Sequence, residues 1–119
     1  MIITYANNEI EKLCSSEKEM NKFFNHNKEL VMCLKVLISM LESINNIDLM
    51  RNFHGYNYEK VQGTIDKYSL RIIPKKKKSL YRLYLKRCNQ GIEIEIIKID
   101  KHKYRLWQYI SYYVIDVLL

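Results

Sequence analysis

The stretch from Ile97 to Arg105 reads IKIDKHKYR, an alternating apolar run that passes into Asp100, Lys101, His102, Lys103, Tyr104 and Arg105. A carboxylate, an imidazole and several cations so close together are the groups that phosphate chemistry needs. An imidazole exchanges a proton near neutral pH, a carboxylate can orient it, and cations hold the non-bridging oxygens. A solvated, frayed strand end accounts for the same residues without any chemistry. Alternation puts Lys98, Asp100 and His102 on one strand face. The second basic run, Lys75, Lys76, Lys77 and Lys78 in PKKKK, reads as a solvated loop or as a contact to a polyanion.

These cations belong to a marked asymmetry. The 119 residues carry 20 Lys and Arg against 13 Asp and Glu, a net +7. Residues 1–50 hold five basic and seven acidic side chains and residues 51–119 hold fifteen and six, so the halves stand at −2 and +9. A basic half-chain favours a polyanionic partner, with nucleic acid ahead of an acidic small molecule or an acidic protein. The 48% apolar content suits one globular domain rather than a disordered chain. Cys14, Cys33 and Cys88 have no CxxC spacing, which argues against a disulfide framework or a structural zinc site. No nucleotide-binding glycine loop or ordered Ser or Cys nucleophile stands out. The start MIITYANNEIEKL lacks the pattern of a secretory signal, and no run is long enough for a membrane span. The expectation is a cytoplasmic protein with no cofactor, no metal and no membrane partner.

The elements that must position these groups change period along the chain. MIITY reads as a strand, and Asn8 with Glu11 as a capping box opening a helix over residues 8–24. Leu30, Leu34, Leu37, Leu41 and Ile44, widened by Ile38, form an apolar stripe and predict a second helix over residues 28–45. Residues 46–57 are irregular. KYSLRII, LYRLYLK and IEIEIIKI then alternate as strands, with RCNQG as a hairpin connection whose Gly91 can supply a positive φ. Ile96 and Ile97 break the alternation, so either both faces of that strand are buried or a bulge at 96 or 97 resets it. The tail from Leu106 to Leu119 is apolar at helical spacing, suited to a terminal helix packed on the domain or on a partner. The order is β-α-α-β-β-β, an α+β fold.

MIITYANNEIEKLC, YEKVQG, YSLRI, YRLYL and IEIIKIDKH, in this order over residues 1–104, resemble HigB-type toxins of the RelE/ParE superfamily of bacterial type II toxin–antitoxin systems. The resemblance implies two helices packed on a small twisted antiparallel sheet, a toxin domain over 1–105 and an added segment over 106–119. It also implies a hydrolase that inhibits translation by metal-independent, ribosome-dependent cleavage of mRNA. The implied partners are the ribosome, mRNA and a cognate antitoxin, typically a helix-turn-helix DNA-binding protein. Carried over by position, the catalytic set is Lys60, Arg82, Asp100 and His102. RNA contacts fall to Lys75, Lys76, Lys77, Lys78, Lys101 and Tyr104.

In such chemistry the ribose 2′-hydroxyl attacks the adjacent phosphate, Arg82 and Lys60 hold that phosphate, and His102 moves a proton. Two positions depart from the family pattern. Glu59 stands where His often precedes the lysine, and Lys101 stands where Tyr often separates the acid from the imidazole. His54 and Tyr104 are near enough in sequence to substitute. These departures keep open a same-fold toxin that poisons a protein target such as DNA gyrase. The apolar tail keeps open an RNA- or antitoxin-binding module with weak catalysis.

Overall fold

The computed structural model describes residues 1–75 and 81–101. Its architecture is α+β, with helices on one face of a five-stranded mixed sheet. Strand β1 (Ile2–Tyr5) leads into α1 (Asn8–Ser15), α2 (Glu17–Phe23) and α3 (Lys28–Ser43). Two 3-10 turns, Ile47–Asn52 and His54–Tyr56, precede β2 (Glu59–Lys60), β3 (Lys67–Arg71), β4 (Tyr81–Cys88) and β5 (Glu93–Lys101). The proposed extension over 106–119 lies outside the described residues.

The helix expected over 8–24 is two short helices, because Ser16 stops one and starts the next. Its backbone is extended, its N–H donates to the Lys12 carbonyl, and its hydroxyl accepts from the Glu19 N–H at 3.4 Å. Ser16 to Glu19 is itself an S-x-x-E start signal inside the apparent helix. The cap of α1 falls one residue before the expected Asn8, with the Asn7 side chain accepting from the Ile10 N–H at 2.9 Å. Helix α3 buries the predicted stripe, with Leu34, Leu37 and Leu41 fully enclosed. It ends at Ser43 because Ile44 is already extended.

Sheet order is β1-β5-β4-β3-β2. The expected antiparallel pairing holds from β2 to β5, whereas β1 runs parallel to β5, from Ile2 opposite Glu93 to Tyr5 opposite Ile96. No hairpin joins β1 to β5; the whole helical layer lies between them in sequence, so no turn dictates an antiparallel direction. β2 is a short edge strand that the sequence pattern did not show. Across the β4–β5 pair, Tyr84 faces Lys98 but Leu85 faces Ile96, leaving Ile97 as the extra residue of a bulge. The bulge keeps Ile94, Ile96 and Ile99 on the buried face together with Leu83 and Leu85. The β4–β5 connection passes through Asn89, Gln90 and Gly91, all at positive φ. A Cβ on Gly91 would collide with the Asn46 side chain, whose amide donates to the Gln90 carbonyl at 3.2 Å.

Helices and sheet share one core. At its edge Arg87 of β4 reaches the first 3-10 turn and makes a two-pronged pair with Asp48, Nε to Oδ1 at 3.0 Å and Nη2 to Oδ2 at 2.8 Å. That hydrogen bonding holds the Asp48 carboxyl below the usual carboxylate range. A carboxyl lowered in the folded state adds stability that is complete above the unfolded value near ~pH 4 and is lost as pH falls through the folded value. Asp48→Asn is therefore expected to lose about 1 kcal/mol at neutral pH, a modest figure because the pair is partly solvated. The deficit relative to wild type should shrink in urea unfolding at low pH. A deficit that stays constant with pH would show that the ion pair is not its source.

Candidate functional site

The face of the sheet opposite the helices carries the polar residues, and strand register sets their arrangement. Glu59, Ser69, Tyr84 and Lys98 form one row across β2, β3, β4 and β5. Arg71, Arg82 and Asp100 form the next. These rows alternate with the core rows Tyr68, Leu85, Ile96 and Leu70, Leu83, Ile99, as period-two geometry requires. A cleft of about 560 Å³ opens here, with Glu59, Lys60, Lys67, Lys98, Asp100 and Lys101 contributing its charge and Tyr84 its ring. Four lysines against two carboxylates make it net basic. Residues from positions 59 to 101 are thus brought into one concave surface.

Within the cleft the contacts are specific. The Lys98 ammonium lies 5.1 Å from the centre of the Tyr84 ring and 3.9 Å from the Asp100 carboxylate. Asp100 also accepts from the backbone N–H of Lys101 at 2.8 Å. Burial, the largest influence, raises the Tyr84 hydroxyl above the ordinary phenol value while nearby Arg82 opposes the rise. The hydroxyl therefore stays protonated at neutral pH and can donate to an anion.

Arg82 lies beneath the cleft and is not one of its lining residues, held under Ser69 and Glu59, which are. Its side chain is 5% exposed. Nε donates to the Ser69 hydroxyl at 2.8 Å, and Nη2 donates to the carbonyls of Asn57 at 2.6 Å and Ser69 at 3.1 Å. The Glu59 carboxylate lies 3.6 Å from the same Nη2. Asn57 has left-handed backbone (φ 46°, ψ 59°) at the entry to β2, so the guanidinium fastens that turn to the sheet. The fork expected to grip phosphate holds the protein's own carbonyls in this structure.

The other residues singled out by sequence divide into three groups. Asp100 sits on the open face beside Lys98, as alternation predicts. Lys60 and Lys101 line the rim; they pair in register with Tyr68 and Tyr81, on the parity of the helix side, and the Lys101 ammonium lies 5.8 Å from the Tyr81 ring centre. Lys75 is exposed away from the cleft lining, its N–H donating to the Gly55 carbonyl at 2.9 Å, and His54 is likewise not a lining residue. His102, Tyr104, Lys76, Lys77 and Lys78 lie outside the described residues. Sequence reasoning did not assign Lys67, Lys98, Tyr84 or Glu59 to the site. The signal that finds them is strand register, which places all four around Ser69.

Other groups are placed differently. Burial pushes the Cys14 thiol up to about 12, so it packs as an apolar group at neutral pH. Among the described residues no cluster of His, Cys, Asp and Glu is arranged to hold a metal ion, and no helix is long and apolar enough to cross a membrane. In comparisons with known proteins, no family model, no curated protein and no solved structure matches the chain.

Proposed function

We propose that the open sheet face is the RNA site of a toxin-type endoribonuclease that acts on ribosome-bound mRNA without a metal and is held in check by an antitoxin. The observation that carries this reading is the cleft itself. Lys60, Lys67, Lys98 and Lys101 surround a half-buried tyrosine and two carboxylates on a face that no described helix covers. Lysines supply attraction to the phosphodiester backbone, and an aromatic ring supplies a platform for an unpaired base. Asp100 lies two residues from His102, close enough in sequence to orient an imidazole that moves the 2′ proton or protonates the leaving 5′ oxygen. The resemblance of the IEIIKIDKH and YEKVQG segments to HigB-type toxins supports the same assignment.

Induced expression of wild type and His102→Ala in a bacterial host, with 5′-end mapping of total mRNA, tests it. Cuts within translated frames that fall by about 100-fold or more in the variant are expected, the scale of a lost general acid or base. Equal cutting by both proteins would remove His102 from the mechanism.

One observation favours a second reading. The engagement of Arg82 by Ser69 and Asn57 withdraws the strongest phosphate ligand from the cleft. A toxin that binds a protein target such as gyrase, or a binding module with weak catalysis, has no need of that ligand. Growth arrest with intact messages and accumulating DNA breaks would select the gyrase-type reading.

A further inference from the structure

On the helix side of the sheet a second concavity of about 630 Å³ lies between α1, α2 and the outer edge of β5. Its apolar lining includes Ile10 and Leu13 of α1, Phe23 of α2, and Ile97 and Ile99 of β5. Phe23 is 42% exposed. The adjoining strand edge is open as well. β1 follows β5 only as far as Tyr5 opposite Ile96, with the Ala6 N–H reaching the Ile96 carbonyl at 3.0 Å. Beyond Ile96 no described strand pairs with that edge. The apolar residues of this groove sit within a polar and charged rim of Asn7, Glu9, Lys12, Glu19, Lys22 and Lys98, beside an uncovered strand edge of the kind folded proteins usually cover.

We propose that the segment 106–119 of the same chain docks in this groove and covers the outer edge of β5. Length and position support this occupant. The described chain ends at Lys101, two residues beyond the Ile99 that lines the groove. Residues 102–105 span up to ~13 Å when extended, ample to reverse onto an edge where neighbouring strands lie ~5 Å apart. The segment LWQYISYYVIDVLL then supplies apolar and aromatic side chains at every position except Gln108, Ser111 and Asp116. Its one charged side chain, Asp116, meets a rim of three lysines, Lys12, Lys22 and Lys98, against two carboxylates, Glu9 and Glu19, of which Glu19 lies 3.9 Å from the Lys22 ammonium. The groove meets the lysine cleft at the edge of β5, where Ile97 and Lys98 line both, but the assignment of 106–119 is read through packing at Phe23 and does not rest on the ribonuclease reading.

The test compares the full chain, a chain ending at Arg105, the Phe23→Glu variant and the combination. Truncation and Phe23→Glu are each expected to lower the melting temperature by roughly 8 °C. The combination should fall by clearly less than the sum of the two, because both remove packing in the groove, while Phe23→Glu also removes the edge contacts of Phe23 with Phe24 and Tyr81. Additive losses, or a truncated chain as stable as the full one, would overturn the proposal. A benzophenone photocrosslinker at position 22 of the full chain keeps the test sharp if truncation prevents folding. Cross-links to peptides from 106–119 within the same molecule are expected. Links only between molecules would assign the groove to a second copy, and links only elsewhere in the chain, or none, would reject the segment as occupant.

Discussion

Arg82→Ala is expected to cost about 3–5 kcal/mol of folding stability, the loss seen when one partner is removed from a buried charged network. The guanidinium is enclosed and makes hydrogen bonds to Ser69 and Asn57. Its removal strands the Asn57 and Ser69 carbonyls, leaves a cavity under the cleft floor and takes a cation from beside Glu59. Small domains have only about 5–15 kcal/mol in total, so the variant should be poorly folded at growth temperature. Arg82→Lys should lie between the two, since an ammonium restores the charge without the planar fork. Urea unfolding with an unchanged slope reads the difference directly. A stable Arg82→Ala protein that has lost RNA cleavage would reverse the interpretation and make Arg82 a ligand of the substrate.

The second large effect is expected on RNA binding. Replacing Lys67 and Lys98 together by Ala should weaken binding of a short single-stranded RNA by roughly 30-fold or more near physiological salt. It should also reduce the slope of log affinity against log salt by about 1.4, or ~0.7 for each phosphate that is no longer neutralised. Lys18→Ala combined with Lys28→Ala removes the same charge from the helical layer and should leave the slope unchanged. Equal losses from both pairs would show that only net charge matters. No loss from the cleft pair would remove the basic cleft as the RNA surface.

The difference between these predictions shows what kind of information each level carries. Arg82 in YRLYL has the composition of a phosphate ligand, and nothing in its sequence neighbours marks it as enclosed. Its role depends on Ser69 in the adjacent strand and on the Asn57 turn, thirteen and twenty-five residues away. Lys98 shows the converse. Its place beside Asp100 follows from alternation alone, but its position over Tyr84 required the β4–β5 register.

The sequence by itself determined the α+β class, the α3 stripe, the three long strands and the concentration of basic charge in the second half. These are local properties, set by side-chain periodicity within a few residues. It also marked Ile96 and Ile97 as a break in alternation, to be met by burial of both faces or by a bulge, and the β4–β5 register decided for the bulge. Only the tertiary structure decided that β1 joins β5 in parallel, that β2 closes the far edge, and that Glu59, Lys67, Tyr84 and Lys98 share a cleft. Those facts depend on pairings between distant segments, whose direction and register are selected by core packing across the whole sheet rather than by either strand alone.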